Sequence, residues 1–308
     1  MRVVVLGGSG MLGSALLAVL CREPGLELHA SARTESLARA MAARVPGVRW
    51  FLLDAAAPAL DRLPAGADWV INAVGVIKHL MRADDPASIE QAILANALLP
   101  HRLAAWATAA GARVLQIATD CVYSGVSGGY AEDAPHDALD AYGKTKSLGE
   151  VRGPGLLHLR CSIVGPEARG RRSLLEWLLE RPPGATVPGF TNHRWNGVTT
   201  LHFARLVRGL LRGGDGAPES GLQHVVPADT ITKADLLAAF ARRLGRSDLT
   251  IVPGPAEAAV DRTLATRAPE RNLALWRAAG YDRPPSILAM LDELAAWDYP
   301  FRGLEAPP

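Results

Sequence analysis

The chain has 308 residues, of which 49% are hydrophobic and 21% charged, and its formal net charge is +2. This composition is typical of a globular protein, because a disordered chain carries far fewer apolar residues and a nucleic-acid-binding protein usually has a strong basic excess. Three scattered cysteines are too few for a disulfide framework and indicate free thiols in the cytoplasm, and no Cys or His cluster has metal-ligand spacing, so no metal site is predicted.

The first half of the chain alternates short apolar runs with stretches of helical periodicity. Strands are predicted at residues 2–6, 26–32, 49–53, 68–73, 113–118 and 156–163. Helices are predicted at residues 11–22, 35–43 and 86–110, the last of which Pro100 could break. Apolar strands separated by helices predict an α/β fold, with a Rossmann-type, doubly wound parallel sheet that is covered on both faces.

The second half of the chain is less regular. Residues 181–189 are rich in Pro and Gly and are predicted to form a loop. Helical periodicity appears at residues 201–211, 233–244 and 286–297, and short strands are predicted at 222–226 and 249–252. A smaller C-terminal region is therefore expected beside the sheet.

A glycine-rich loop follows the first strand and precedes the first helix. Its GxxGxxG pattern would allow a tight turn, a close approach of a pyrophosphate and tight helix packing, and the helix N-terminus would attract the phosphates. The predicted cofactor-binding residues of this loop are Gly7, Ser9, Gly10, Met11, Leu12 and Gly13. A plain glycine-rich turn is the alternative. The same glycines interrupt the uncharged run at residues 3–21, which argues against a signal peptide or a membrane span there.

The residue after the second strand indicates the type of cofactor. An NAD site usually has an acidic residue there, whereas this chain has Arg33, which could pair with the 2′-phosphate of NADP(H) and stack on adenine. Glu35 leaves an NAD site open, and a solvated loop arginine is the other alternative. Asp54 could reach the adenine amino group. Three residues that end the fourth strand would let the backbone approach the nicotinamide: Asn72, Ala73 and Val74.

Tyr142 and Lys146 form a YxxxK pair, which places both side chains on one face of a helix. A free tyrosine, with a pKa of about 10, is a poor acid at neutral pH, and a nearby ammonium would move its pKa toward neutrality. The spacing alone is common. However, the chain has only four lysines, and arginine supplies nearly all its other positive charge. Two of the four, Lys144 and Lys146, lie in this one short segment, which favours a site that needs an ammonium rather than a guanidinium.

Two more residues follow predicted strands, at the sheet edge where ligands bind. Thr119 is placed to donate a hydrogen bond to a substrate carbonyl, although threonine also simply favours strands. Lys78 could contact an anionic part of a substrate or remain a solvated loop residue.

These motifs occur together in the order GGSGMLG at 7–13, Asn72-Ala73, TDCVYSG at 119–125, YGKTK at 142–146 and LRCSIVG at 159–165. In this order the chain resembles the extended short-chain dehydrogenase/reductase superfamily, and most of all its dTDP-4-dehydrorhamnose reductases and related nucleotide-sugar 4-ketoreductases. The resemblance is strong over roughly residues 1–165. It is weaker beyond, where TNHRWNG at 191–197 and DRTLAT at 261–266 are similar to later elements of that family.

The resemblance implies an NADP-binding Rossmann domain at residues 1–165 and a partly interleaved substrate-binding region at 166–308, of which about 199–226 returns to the sheet. It implies a catalytic triad of Thr119, Tyr142 and Lys146, in which Lys146 also holds the nicotinamide ribose. The implied or candidate substrate-binding residues are Lys78, Cys121, Val122, Tyr123, Arg194, Asn196 and Arg262. Cys121 and the loop at 75–79 differ from the rhamnose enzymes, which leaves the sugar and the base open.

The expected function is the NADPH-dependent reduction of a nucleotide-linked 4-keto-6-deoxy sugar, with hydride from nicotinamide C4 and a proton from Tyr142. A nucleotide-sugar epimerase with tightly bound NAD, a non-catalytic NADP-binding regulatory subunit and a reductase of a non-sugar ketone or quinone are the alternatives. A dehydratase is disfavoured, since Asp120 is followed by Cys121 where that class usually has Glu. The expected partners are the nucleotide-sugar and a second copy of the chain, with no nucleic acid and no membrane.

Overall fold

The computed structural model of the chain describes residues 1–82, 84–213, 216 and 218–304. The strands of these residues are, in chain order, β1 (Arg2–Leu6), β2 (Glu27–Ala32), β3 (Arg49–Leu52), β4 (Trp69–Asn72), β5 (Arg113–Thr119), β6 (Leu156–Cys161), β7 (Ile163–Val164), β8 (Thr186–Phe190), β9 (His193–Trp195), β10 (Val198–Thr199), β11 (Gly221–His224), β12 (Ile231–Thr232), β13 (Thr250–Gly254) and β14 (Val260–Asp261). Their α-helices are α1 (Met11–Leu20), α2 (Glu35–Ala42), α3 (Pro86–Ala92), α4 (Leu99–Ala110), α5 (Ala141–Leu148), α6 (Leu174–Leu179), α7 (Thr200–Leu211), α8 (Lys233–Arg243), α9 (Pro269–Ala278) and α10 (Ile287–Ala296).

The main sheet has seven strands in the order β11-β6-β5-β4-β1-β2-β3, and every neighbouring pair is parallel. The chain therefore winds outward in both directions from β1, and the order reverses between β1 and β4. In such a sheet, ligands bind at the carboxyl ends of the strands beside that reversal. The predicted Rossmann-type doubly wound fold is confirmed.

Helices cover both faces of this sheet. On one face, α1 is buried along nearly its whole length and packs against α7. On the other face, Leu99, Leu103 and Ala107 of α4 pack against apolar residues of β1 and β4. Because neither face of the sheet meets solvent, its central strands are continuously apolar rather than alternating, which is the pattern that the sequence contains.

The predicted helix at residues 86–110 is present but irregular. A π-helical segment, Ile93–Leu98, connects α3 to α4 without a break. Pro100 has no N–H to donate to the carbonyl of Asn96 four residues earlier, and the wider π turn accommodates this missing bond. The segment also turns the buried Asn96 side chain toward neighbouring loops.

The prediction of a loop at residues 181–189 is wrong for the second half of this segment, which belongs to β8. This strand pairs with β13 in a separate two-stranded parallel sheet. Its proline lies in an edge strand, where one missing N–H is tolerated. A Cβ on Gly189 would lie 2.8 Å from the Cα of Ala234, so the glycine permits contact with α8. Two helices, α6 and α9, were also absent from the sequence prediction.

The C-terminal half contributes one strand to the main sheet, since β11 pairs with β6. Of the later helices, α9 packs against α7, whereas α8 packs against α10 and the β8–β13 sheet. The division into an NADP-binding domain at residues 1–165 and a substrate-binding region at 166–308 stays a prediction. Among the described helices, none combines the length and apolar character needed to cross a membrane.

Candidate active site

The glycine loop after β1 is held tightly against β2 and α1. The Gly7 N–H donates to Ser31 Oγ at 2.9 Å, and the Gly8 N–H donates to the Ser31 carbonyl at 3.0 Å. Gly7 has a φ of +76°, which side chains rarely adopt. A Cβ on Gly13 would lie only 2.1 Å from the Gly7 carbonyl oxygen. The fold itself therefore requires glycine at the first and third positions of the pattern.

The middle glycine is different, because the protein leaves space around it. Gly10 is exposed, and a Cβ there would meet only the Gly7 carbonyl oxygen, at an ordinary 3.4 Å. Gly10 is also the N-cap of α1, without a side-chain cap and without an acidic residue in the first turn. The N–H groups of this turn thus remain available to an anion, together with the positive end of the helix dipole. These residues fit a dinucleotide pyrophosphate.

The end of β4 lies directly beside this loop. A Cβ on Gly7 would be 3.1 Å from the carbonyl group of Ala73 and from the Val74 side chain. Asn72 is completely buried; its amide donates to Gln116 Oε1 at 2.8 Å, and its Oδ1 accepts the Val74 N–H at 3.2 Å. The three predicted residues therefore shape the sheet edge next to the glycines.

Two further cofactor candidates lie at the carboxyl ends of β2 and β3. Arg33 is exposed directly after β2, and the neighbouring Thr34 caps α2 by accepting the Leu37 N–H at 3.3 Å. Glu35, the residue that left an NAD site open, forms an ion pair with Arg39 at 2.8 Å. Asp54 is exposed and accepts the Ala56 N–H at 3.0 Å.

The predicted triad comes together at the end of β5. Thr119 is the last residue of that strand, and its hydroxyl donates to Asp120 Oδ1 and accepts the Cys121 N–H, both at 3.2 Å. Tyr142 and Lys146 lie one turn apart on α5. A Cβ on Gly143 would lie 2.5 Å from the Cys121 carbonyl oxygen, so glycine allows α5 to approach the turn after Thr119. The Thr119 hydroxyl is near enough to lower the pKa of Tyr142.

Burial controls the protonation of the triad. Burial raises the pKa of Tyr142, and the nearby Cys121 adds to this rise, which outweighs the effect of Thr119. The sequence led us to expect a tyrosine pKa moved toward neutrality, and the structure has the opposite direction. The Lys146 ammonium donates to the Ile117 carbonyl at 2.9 Å, and burial lowers its pKa to about 8 while Glu150 raises it.

Asp120 and Cys121 complete the surroundings of Thr119. Burial raises the pKa of Asp120, and the Arg262 guanidinium opposes this change. Burial and the Asp120 charge raise the pKa of Cys121 to about 12, so this thiol is neutral at pH 7. Within the described part of the chain, no three His, Cys, Asp or Glu side chains are grouped in a way that could hold a metal ion.

Three of the predicted substrate cations lie around this edge of the sheet. Lys78 pairs with Asp140 Oδ2 at 2.9 Å, and Asp140 is the N-cap of α5. The Arg262 Nε donates to the Tyr123 carbonyl at 2.9 Å. Arg194 is mostly exposed, with its Nε 3.6 Å from Asp261 Oδ2. β9 and β14 pair with each other so that Arg194 lies opposite Asp261, the residue that precedes Arg262.

Three other predicted substrate-binding residues have side chains that are buried in the protein interior. Val122 and Tyr123 are completely buried, and the Tyr123 hydroxyl donates to the Ala131 carbonyl at 3.1 Å. Asn196 is buried and holds Leu264 through two hydrogen bonds, its amide donating at 2.7 Å and its oxygen accepting at 2.9 Å. The structure does not bring these side chains to the open edge beside Thr119.

Asn96 is a positioning residue that sequence reasoning missed. Its side chain accepts the Val76 N–H at 2.8 Å and donates to the Val76 carbonyl at 2.9 Å and to Thr145 Oγ1 at 3.2 Å. It thereby links the loop after β4 to α5, one residue before Lys146. A lone asparagine in an apolar helical run was the available signal.

Arg160 is a second such residue. It is completely buried in β6, and its guanidinium donates to Glu150 at 2.5 Å, to the Tyr123 hydroxyl at 2.5 Å and to His224 Nε2 at 2.9 Å. Glu150 lies one turn after Lys146 along the chain. A charged residue inside an apolar strand was the signal in the sequence. The ion pair orients the Glu150 carboxylate, whose charge raises the pKa of Lys146.

Comparison of the sequence with protein families finds a match to this chain. The family described as the RmlD substrate binding domain matches residues 1–181. No curated protein matches the chain in sequence.

Several solved structures share the fold along almost the whole chain. A dTDP-4-dehydrorhamnose reductase from Clostridium acetobutylicum ATCC 824 has a TM-score of 0.70 at 19% identity, over 96% of this chain and 99% of that chain. A dTDP-4-dehydrorhamnose reductase from Bacillus anthracis str. Ames, in complex with NADP, has a TM-score of 0.69 at 16% identity, over 95% and 98%. A UDP-glucuronic acid 4-epimerase from Bacillus cereus, in complex with NAD, has a TM-score of 0.71 at 17% identity, over 97% and 96%.

Proposed function

We propose that this chain, which belongs to the RmlD substrate binding domain family, is an NADPH-dependent reductase of a nucleotide-linked 4-keto-6-deoxy sugar. The chain shares its fold with nucleotide-sugar reductases and epimerases. The observation that carries the proposal is the close packing of α5 against the turn after β5. Through Gly143, it groups Thr119, Tyr142 and Lys146 at the carboxyl edge of the sheet, where β4 separates β5 from the strand that leads into the glycine loop.

The residues that would hold the cofactor lie along this edge. The first turn of α1 and the loop from Gly7 to Gly13 would bind the pyrophosphate, and Asn72 to Val74 would flank the nicotinamide end. Asp54 would approach the adenine. Arg33 would bind the 2′-phosphate, and this choice of NADP(H) is supported by Glu35, whose carboxylate is already paired with Arg39. The nicotinamide would supply the hydride for the ketone carbon.

Tyr142 would donate the proton that the reduced carbonyl oxygen requires. Its raised pKa keeps the hydroxyl protonated at neutral pH, which is the state needed for reduction. Thr119 would orient the carbonyl oxygen by a hydrogen bond. The Lys146 ammonium, beside these groups, would hold the nicotinamide ribose and stabilise the negative charge that develops on Tyr142 as the proton leaves.

The nucleotide-sugar would lie between the carboxyl edge of the main sheet and the β9–β14 pair. Lys78, Arg194 and Arg262, which contact Asp140, Asp261 and the Tyr123 carbonyl, would lie around this space and neutralise the substrate pyrophosphate. Cys121, a neutral thiol, would contact the sugar. The three cysteines are free thiols, which supports the proposed cytoplasmic location.

The test is oxidation of NADPH by the purified protein with a panel of nucleotide-linked 4-keto-6-deoxyhexoses. One sugar should be reduced, and Tyr142→Phe should lower kcat by about 10²- to 10⁴-fold, because the proton donor is lost. Tyr281→Phe, the same chemical change at a hydroxyl that contacts Arg205 and Glu293, should retain activity.

The outcomes that contradict the proposal also separate its alternatives. Interconversion of two sugars without net NADPH loss would identify an epimerase. Reduction of only a non-sugar ketone or quinone would identify a different reductase. Binding of NADPH without turnover of any compound would favour a regulatory subunit.

A further inference from the structure

Two buried cations lie at the same level of two neighbouring strands. The Lys146 ammonium donates to the Ile117 carbonyl of β5 at 2.9 Å, and Lys146 is buried. Arg160 of β6 is completely buried, and in the pairing of these strands it lies opposite Ala118, the residue after Ile117. Burial of a charge is costly without a counter-charge, and a second like charge nearby adds to this cost. An anion is therefore needed here.

Glu150 is the carboxylate that lies close to both cations. Each of its two oxygens accepts from Arg160 Nη2 at 2.5 Å. Glu150 follows Lys146 by four residues, and its N–H donates to the Ser147 carbonyl at 3.2 Å, so the chain stays turned beyond the end of α5. In the part of the chain that the structure describes, Arg160 pairs with no other carboxylate and Lys146 forms no ion pair.

The backbone on both sides of Glu150 is held in place. A Cβ on Gly149 would lie 2.0 Å from the Asn96 carbonyl oxygen, so the end of α5 is pressed against the π-helical segment. His158 of β6, which faces the same side of the sheet as Arg160, donates to the Val151 carbonyl at 2.6 Å. The position of the Glu150 carboxylate is thus set by the packing of three separate elements.

The other titratable groups that face Glu150 and Lys146 are neutral at pH 7. Burial lowers the pKa of the neighbouring imidazoles, which are those of His136, His158 and His224. Burial raises the pKa of the neighbouring hydroxyls and thiol, which are those of Tyr123, Tyr142 and Cys121. Asp120, in the turn after β5, acts on the pKa of Tyr142 and Cys121 instead. Glu150 is therefore the group that compensates the Lys146 charge.

We propose that Glu150 is a positioning residue of the reaction: its carboxylate, held by Arg160, keeps the Lys146 side chain charged at the pH at which the enzyme works. The inference rests on the proposed function, in which the Lys146 ammonium holds the ribose and stabilises the negative charge on Tyr142. Glu150 acts through Lys146, without contact with cofactor or substrate. Burial lowers the pKa of Lys146 to about 8, and without the opposing Glu150 charge it would fall further.

Titration of Lys146 by NMR tests the proposal without any substrate. The chain has only four lysines, so protein labelled with ¹³C at lysine Cε gives four signals, and Lys146→Met identifies one of them. Glu150→Gln keeps an oxygen that can accept from Arg160 but removes the charge, so the Lys146 signal should titrate about one pH unit lower than in the wild type. Glu23→Gln is the matched control, because Glu23 is a mostly buried carboxylate that pairs with Arg212, and it should change nothing.

A double variant covers the case in which Glu150→Gln does not fold. Glu150→Gln/Arg160→Met removes both charges of the buried ion pair, so neither is left without its partner. Its Lys146 signal should also titrate at lower pH than in the wild type.

The pH dependence of turnover separates this role from a merely structural one. In Glu150→Gln the alkaline decrease of kcat should move by the same one pH unit or so, which lowers kcat at pH 8 about fivefold further. Near pH 6, kcat should stay within about twofold of the wild type, because Lys146 is charged there in both proteins.

Two results would overturn the proposal. One is a Lys146 titration that is unchanged in either folded variant. The other is an equal loss of kcat at every pH in Glu150→Gln, which would assign Glu150 a structural role only. Failure to reduce any nucleotide-sugar would refute the proposed reaction alone, since the NMR titration requires no turnover.

Discussion

Individual residues at the proposed site owe their protonation to burial more than to their charged neighbours. Tyr142 has a raised pKa although a lysine follows one turn later, and Lys146 has a pKa of about 8 because burial disfavours its ammonium. At pH 7 the Tyr142 hydroxyl is therefore protonated and the Lys146 side chain is predominantly charged. This state suits proton donation to a reduced carbonyl oxygen.

The decrease of kcat at alkaline pH should follow the deprotonation of Lys146. Its ammonium is present below a pH of about 8 and is lost above it, so kcat should be constant near pH 7 and fall about tenfold per pH unit well above pH 8. A pH–rate profile with saturating substrate measures this limb. A profile that stays flat to about pH 10 would exclude a required ammonium with this pKa.

At the scale of elements, the glycine loop and the first helix act as one unit in which the glycines have unequal roles. Gly13 lies where α1 touches the loop backbone, so its missing side chain permits the contact. Gly10 lies at the open end of the helix, where the protein itself would tolerate a methyl group. Packing of the fold and approach of a ligand are thus separable by substitution.

The two glycines should therefore respond differently to alanine. Gly13→Ala should lower the free energy of unfolding by about 1–3 kcal/mol or more, because its Cβ would overlap the Gly7 carbonyl oxygen. Gly10→Ala should change stability by less than about 1 kcal/mol and weaken NADPH binding about tenfold, because its Cβ enters the phosphate site. Denaturant unfolding and fluorescence titration measure the two effects. A stable Gly13→Ala protein, or unchanged NADPH affinity in Gly10→Ala, would contradict these roles.

Across the whole molecule, two buried histidines connect distant parts of the chain while remaining neutral. His224 on β11 accepts a hydrogen bond from Arg160 and contacts the Ala265 carbonyl, and burial lowers its pKa to about 4. His202 on α7 is completely buried, and its Nε2 lies 3.4 Å from Glu293 Oε1 on α10. Burial lowers its pKa to about 4 as well, although the Glu293 charge opposes this change. Each histidine regains its ordinary pKa of about 6.5 when the chain unfolds.

The stability of the protein should consequently decline in mild acid. Between pH 6.5 and about 4 the unfolded chain binds protons at these histidines that the folded chain does not, so the free energy of unfolding falls as pH falls. The loss should be on the order of a few kcal/mol for the pair. Denaturant unfolding at several pH values measures it, and His202→Asn should reduce the slope. His79→Asn, at an exposed histidine, is the control, and an equal slope in both variants would contradict the assignment.

Much of the fold, and of the sheet edge that would bind the cofactor, was predictable from the sequence, because local patterns specify them. Apolar runs, helical periodicity and the spacing of Gly7, Gly10 and Gly13 depend on neighbours within a few residues. The same holds for Tyr142 and Lys146, which share a helix face by spacing alone. The sequence by itself thus determined a doubly wound parallel sheet and placed the candidate residues after the ends of its strands.

Only the tertiary structure decided what depends on contacts between segments far apart in the chain. It decided that Lys78 is paired with Asp140, that the Tyr123 side chain is buried with Arg160, and that burial raises the pKa of Tyr142. It also placed residues 186–190, which are rich in Pro and Gly, in a strand against α8. Burial and charge pairing arise from the packing of distant segments, and no local pattern contains this information.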